Sequence, residues 1–208
     1  MARECEAKIR VPDLAPLRRR LEELGAANEG ACLERNWVMD RRDGELHRQD
    51  VLLRVRSMGG TGGVLTVKHR VDGGAFKTRE EVESMVDSTE DLLRQLEMVG
   101  FVVTWVYEKY RATWLWNDCV LALDECPEIG SFIEIEGAPE SIVEAAGHLG
   151  LDPADHIDDN YLGLWQKHLA ARGEKPRHMV FSREEAESRS KPKSAFTTRV
   201  LPEYKSEE

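Results

Sequence analysis

Charged side chains recur at every second position in six separate stretches of this chain, with mostly Ile, Val, Leu, Ala or Cys between them. The stretches hold Glu4, Glu6 and Lys8; Arg54 and Arg56; Lys68, two places after Thr66; Arg79, Glu81 and Glu83; Lys109 and Arg111; and Glu134 with Glu136. Asp124, in line with Ala122 and Val120, adds a single charge to a seventh. Alternate side chains of an extended strand share a face, so a stride of two is a strand signal. One such strand is ordinary. Many of them call for a sheet with an apolar face packed under helices and a charged face shared between strands. Two arrangements meet that demand. An open antiparallel sheet would leave the charges in water, whereas a sheet closed on itself would turn them inward around a polar lumen.

The connecting segments fit such a sheet. Leu14, Leu17, Leu21 and Leu24 form one stripe of a helix opened by Pro12-Asp13 and stopped by Gly25. Residues 30–41 read as extended, and Asp43-Gly44, Asp72-Gly73-Gly74 and Asn117-Asp118 read as turns. Ser88 and Asp91 suit a capping box for a helix over 88–99, and two more helices are predicted over 139–149 and 160–171. Gly59-Gly60-Thr61-Gly62-Gly63 has no Lys-Ser or Lys-Thr after it, so it reads as a hairpin turn and not as a phosphate loop. The apolar pattern fades after Gly173. We therefore expect one domain over residues 1–172 and a polar, mostly mobile tail over 173–208, docked at a few points, with Ser182 able to cap one short helix.

Bulk properties exclude several classes. The 208 residues suffice for one domain with a real core, and the net charge of -10 argues against nucleic acid as a partner. The longest apolar runs are too short to span a membrane and no apolar leader is visible, so a cytoplasmic protein is expected. Cys5, Cys32, Cys119 and Cys126 lack C-x-x-C spacing and the six histidines form no paired motif, so zinc and a disulfide framework are not expected. Trp37, Trp105, Trp114, Trp116 and Trp165 read as core or wall residues, a base-stacking platform being the alternative.

Acids and bases are similar in number on the charged faces, which is more than an anion sink requires. A polyphosphate carrying divalent metal needs both: carboxylates for Mg²⁺ or Mn²⁺, and Lys and Arg for phosphate oxygens. The pattern alone does not choose between that site and a solvated sheet.

The ordered set does resemble a known family. Glu4-x-Glu6-x-Lys8, Arg54-x-Arg56, Thr66-x-Lys68, Arg79-x-Glu81-x-Glu83, Lys109-x-Arg111, Asp124, Gly130-x-Phe132-x-Glu134-x-Glu136 and Asn160-Tyr161-Leu162 look like the motifs of the CYTH domain, or triphosphate tunnel metalloenzymes. The resemblance covers about residues 2–170. It implies an α+β fold: a closed eight-stranded antiparallel barrel with helices outside. It also implies a metal-dependent enzyme acting on a triphosphate. Class IV-type adenylyl cyclase is the first reading; a tripolyphosphatase or thiamine triphosphatase is the alternative, and a non-catalytic polyphosphate or nucleotide binder is the third. Glu4, Glu6, Asp124, Glu134 and Glu136 would bind Mg²⁺ or Mn²⁺. Lys8, Arg54, Arg56, Lys68, Arg79, Lys109 and Arg111 would hold phosphate. Lys8, Glu4, Glu6 and Glu134 would be catalytic, with Lys8 orienting or deprotonating an attacking water if its pKa is depressed. Glu81 and Glu83 are equally compatible with a supporting ion-pair network. The expected partner is ATP, tripolyphosphate or thiamine triphosphate, with no nucleic acid and no membrane; a homodimer is left open.

Overall fold

The computed structural model describes residues 2–70 and 77–189, with residues 2–4, 77 and 78 described by their backbone alone. The Asp72-Gly73-Gly74 turn and residues 190–208 fall outside the described residues. Eight antiparallel strands form one sheet. They are β1 (Ala2–Val11), β2 (Ala27–Arg41), β3 (Val51–Ser57), β4 (Gly63–Arg70), β5 (Lys77–Val86), β6 (Phe101–Trp116), β7 (Cys119–Cys126) and β8 (Gly130–Glu136). The helices are α1 (Ala15–Glu23), α2 (Glu45–Arg48), α3 (Thr89–Met98), α4 (Pro139–His148), α5 (Tyr161–Ala171) and α6 (Arg183–Arg189). Hydrogen-bonded neighbours run β1-β5-β4-β3-β2-β6-β7-β8. The circuit returns to β1, which pairs with β5 through Ala2 to Glu6 and with β8 through Glu6 to Val11. The two ends of the sheet thus meet on one strand, largely end to end, with Glu6 paired on both sides.

The alternation read from the sequence decides which face is which. Ile9, Val11, Leu121, Leu123, Ile133 and Ile135 point outward and are buried with Leu17, Leu21, Ile142, Ala145 and Ala146 of α1 and α4. Burying each large aliphatic side chain stabilises the fold by roughly 1.5–3 kcal/mol, so these helices fix the outward face and with it the inward one. Ser88 caps α3 by accepting from the Asp91 amide, as expected, and Leu92, Leu93 and Leu96 pack toward Leu53 and Val55. Beneath α3, Gly63 leaves no room for a side chain: an added Cβ would sit 2.0 Å from the Arg56 carbonyl oxygen. Among the described residues the outer face of β5 is left open: Glu80 pairs with His69 and Val82 is exposed. This explains why that strand's alternation is less clean than the others.

The segment after Gly173, expected as a mostly mobile tail docked at a few points, is held by several contacts as far as Arg189. Met179 is fully buried, and its backbone accepts from the Glu108 amide at 2.8 Å and donates to the Val106 carbonyl at 3.1 Å. Phe181 donates its amide to the Glu108 carboxylate, and Trp165 donates its indole N–H to the Arg177 carbonyl. Few apolar residues are needed for this, because the contacts are largely main-chain. Ser182 accepts from the Glu185 amide at the start of α6.

Candidate active site

The inward faces meet in a cavity of about 780 Å³, whose wall includes Glu6, Lys8, Arg54, Lys68, Arg79, Lys109, Arg111 and Glu134. Eight residues from six strands, spread over the sequence from 6 to 134, are thereby brought together. Strand register explains the pairings. Lys8 lies opposite Glu134, Arg111 opposite Asp124 and Lys68 opposite Glu81.

One cluster is built around Asp124, which is 0% exposed. Its Oδ1 accepts from Arg111 Nε at 2.7 Å, and its Oδ2 accepts from Arg111 Nη2 at 2.6 Å, Lys109 Nζ at 3.1 Å and the Tyr161 hydroxyl at 2.7 Å. Glu134 pairs with Arg111 and, at 3.2 Å, with Lys8. Burial works against the charge on Arg111 but is outweighed by Asp124, Glu134 and Glu34, so its pKa is raised well above the ordinary value. Glu134 is in the converse position: burial raises it, and Lys109, Lys8 and Arg111 hold it well below the usual carboxylate range. Lys8 was expected to orient or deprotonate an attacking water if its pKa were depressed. Burial does lower it, but Glu134 and Glu6 prevail and the net shift is upward. A lysine so held favours its charged form, so the depressed pKa on which a role as base depends is absent, and the role of orienting the water is the one that agrees with it.

A second cluster joins β3, β4 and β5. Arg54 donates to the Tyr107 hydroxyl and to Thr66 Oγ1, and Arg56 donates to Glu83 at 3.1 Å. Thr66 donates to the same Glu83 oxygen at 2.7 Å. Lys68 pairs with Glu81 at 3.0 Å, and Arg79 lies 4.0 Å from Asp50. Glu81 and Glu83 thus sit in ion-pair networks that orient the basic residues. Glu136 lies opposite Glu6 across β1 and β8, while the Glu4 side chain falls outside the described residues.

Sequence reasoning missed Glu34, Asn36 and Tyr107. Glu34 is buried between Arg56 at 3.7 Å and Lys109 at 3.6 Å. Its burial favours the neutral acid, yet Lys109, Arg56 and Arg111 bring its pKa down to about 2. The amide of Asn36 is fully buried with neither atom hydrogen-bonded among the described residues, an uncommon state for a polar side chain. The stride Cys32-x-Glu34-x-Asn36 was the available signal, but it carries one charge. Glu34 also predicts acid lability. Its folded pKa lies below the unfolded value of 4.5. It therefore contributes stability that is complete above about pH 4.5 and lost as the pH falls toward about 2, on the order of 3 kcal/mol in all. Urea unfolding of wild type and Glu34→Gln across that window should show the variant's stability changing less with pH.

The residues partly fit a divalent cation. Among the described residues no group of three His, Cys, Asp or Glu side chains is placed to hold a metal by itself. Both oxygens of Asp124 are already taken by cations and a hydroxyl. Glu6 and Glu134, however, line the same cavity. Magnesium is commonly held by one or two carboxylates, with waters and substrate phosphates completing its shell. That is the arrangement these two can offer.

Known proteins agree with this geometry. The family model for the CYTH domain matches residues 2–149. A Methanocaldococcus jannaschii protein named "putative adenylate cyclase" is 24% identical over 141 residues, covering 68% of this chain and 80% of that protein. A Pyrococcus horikoshii structure is 27% identical, with a TM-score of 0.66 over 77% of this chain and 98% of its own. A Vibrio parahaemolyticus structure, also named a "putative adenylate cyclase", has a TM-score of 0.69 at 19% identity, covering 78% of this chain and 97% of its own. A Hippeastrum structure, described as a "putative adenylyl cyclase" that reveals a dominant triphosphatase activity, has a TM-score of 0.58 at 17% identity, covering 85% and 98%. With the motifs in family order, the pairing of charged strand faces around one cavity and a match over most of its length, this chain belongs to the CYTH domain family.

Proposed function

We propose that this chain is a divalent-metal-dependent enzyme that holds a triphosphate in a tunnel enclosed by its barrel, and that it cyclises ATP to cyclic AMP and pyrophosphate. The observation that carries the proposal is the convergence of Lys8, Arg54, Lys68, Lys109 and Arg111 on a cavity that also presents Glu6 and Glu134. Charge-assisted contacts from Arg and Lys suit phosphate oxygens, and the two carboxylates suit a metal that phosphates help to bind. Such an ion supplies charge neutralisation and acidifies an attacking hydroxyl or water.

The chain's own residues do the rest by positioning. Arg54 is held by Tyr107 and Thr66, and Arg111 by Asp124, so both guanidinium groups are oriented before substrate arrives. Fixed donors of this kind stabilise developing charge without reorganising. In the cyclase reading the ribose 3′-hydroxyl attacks the α-phosphorus and pyrophosphate leaves. Hydrolysis of a triphosphate is the second reading, favoured by the activity described for the Hippeastrum protein, which shares this fold. The reactions separate in one experiment: ATP, tripolyphosphate and thiamine triphosphate are incubated in parallel with Mg²⁺ or Mn²⁺, and the products are chromatographed. Cyclic AMP from ATP, with 3′-deoxy-ATP bound but unreactive, supports cyclisation. Orthophosphate without cyclic AMP supports hydrolysis, and no turnover of any triphosphate leaves a binding module.

Metal dependence follows from the same reading. Glu6→Gln should lower turnover by well over tenfold while leaving thermal unfolding almost unchanged, because Glu6 is only half-buried. Full activity in excess chelator would remove the role assigned to this carboxylate.

A further inference from the structure

The pairing around the barrel is incomplete along β5. On one side β4 pairs with it from Arg79 to Val86 in unbroken register. On the other, β1 pairs with it only from Lys77 to Glu81. Among the described residues no strand pairs with that edge from Val82 to Val86. Val82, Glu83, Ser84 and Met85 are exposed one after another, on both faces of the strand, with Val82 at 51% and Met85 at 56%. The edge is nevertheless held extended. On the inner face Glu83 accepts from Arg56 and Thr66. On the outer face Val82 lies beside Val67, which is itself exposed.

An open strand edge is a template for another strand, and proteins that keep one free blunt it with Pro, Lys or a bulge. Residues 82–86, Val-Glu-Ser-Met-Val, carry none of these. Two occupants compete for it. The strand-prone stretch of the chain beyond α6 is 195–200, which holds Phe, Val and two Thr. It starts six residues after Arg189, a reach of about 20 Å. Arg189 pairs with Glu125, whose row across the sheet runs through Ser131 to Val11. Val11 and the open edge lie at opposite ends of β1, about 30 Å apart at roughly 3.3 Å per residue. The stretch therefore falls short. Beyond it come Pro202, Glu203, Glu207 and Glu208, ill-suited to a strand laid beside Glu83 and Asp87.

A second copy of the chain fits. Residues paired across antiparallel strands share a face, so a two-fold axis sets one residue of the edge against itself. Centred on Glu83, the pairing faces Glu83 with its own copy. Centred on Met85, it faces Glu83 with Asp87. Like charges directly opposite are destabilising. Centred on Ser84, it sets Val82 against the partner's Val86 and Glu83 against the partner's Met85, with no like-charge pair between 82 and 86. We propose that two copies of this chain join through this edge, β5 against β5, antiparallel about a two-fold axis at Ser84. The two outer faces then run on as one sheet and Val82 is covered. The interface is independent of what the tunnel binds.

Ser84 is exposed and stands on the outer face, so replacing it spares the core and the tunnel. Sedimentation equilibrium of the full chain over a concentration series should show a reversible monomer–dimer equilibrium. Ser84→Lys and Ser84→Glu each set like charges across the axis and should raise the dimer dissociation constant at least tenfold. Mixed in equal amounts, the two variants should recover the dimer, because opposite charges then face each other. Backbone amides of residues 82–86 should exchange with deuterium faster in each single variant than in wild type. A wild type that stays monomeric overturns the proposal, and protected edge amides in that monomer would show that a segment of the chain itself covers the edge. Dimers that form equally well in both single variants, or a mixture that recovers none, would place the interface elsewhere and overturn it too.

Discussion

Asp124→Asn is expected to destabilise the metal-free protein by about 3–5 kcal/mol, the cost of stranding buried charges when their partner is removed. The carboxylate is fully buried and takes donors from Arg111, Lys109 and Tyr161. Asparagine keeps its volume, but it removes the charge and turns an amide N–H₂ toward groups that are themselves donors. Among the described residues Lys109, at 2% exposure, then keeps Glu34 at 3.6 Å and Glu134 at 3.9 Å as its carboxylate partners. The sign of the effect separates two roles. A carboxylate kept for a metal ion is repelled by other carboxylates when the ion is absent, so neutralising it raises the stability of the metal-free protein. A carboxylate that anchors cations does the opposite. Urea unfolding in chelator reads the difference directly. Unchanged or increased stability would return Asp124 to the metal-binding set; the expected loss makes it the residue that positions Lys109 and Arg111.

How much of this is legible in the sequence depends on the distance over which the physics acts. The stride of two in Glu4-x-Glu6-x-Lys8 or Lys109-x-Arg111 is a local consequence of strand geometry, so the order of residues alone marks one face of each strand as charged. The same stride places Ile133 and Ile135 under the helices, where both are fully buried. Which acid meets which base is a matter of register. Arg111 reaches Asp124 because a two-residue turn at Asn117-Asp118 sets β6 against β7. Asn117 adopts a φ of 50° to make that turn. Lys8 reaches Glu134 only because β1 joins the far edge of the sheet, and no local pattern carries that information. Glu34 is hard to read for a related reason. A lone acid in a mixed strand becomes informative only when Arg56 and Lys109 arrive from two other strands. The docked segment at 176–181 is illegible because its hold on β6 is made mainly by backbone groups, which every sequence carries.

Lys8→Met should lower turnover by about 10²–10³, the loss typical of removing one fixed charge-stabilising donor from an active site. Lys8 is 4% exposed, with Nζ 3.2 Å from Glu134 Oε1, 3.4 Å from the Asp159 carbonyl and 4.5 Å above the Tyr161 ring. Each of these contacts favours the ammonium form, and with the pKa raised the side chain carries its proton throughout the neutral range. On the proposed reading its contribution is a positioned positive charge, aimed at phosphate oxygens that gain charge as a phosphorus–oxygen bond breaks. The pH profile distinguishes this from base catalysis. A lysine base must lose its proton before it can work, so activity would rise through its pKa between about pH 7 and 9. A lysine acting by charge gives no such limb, because its proton is lost only above its ordinary range. Wild type should show no Lys8-dependent rise in kcat across that interval, and Lys8→Arg, which keeps the charge on a bulkier head, should recover part of the turnover lost in Lys8→Met. A limb in the wild-type profile that vanishes in Lys8→Arg would assign Lys8 the proton transfer after all.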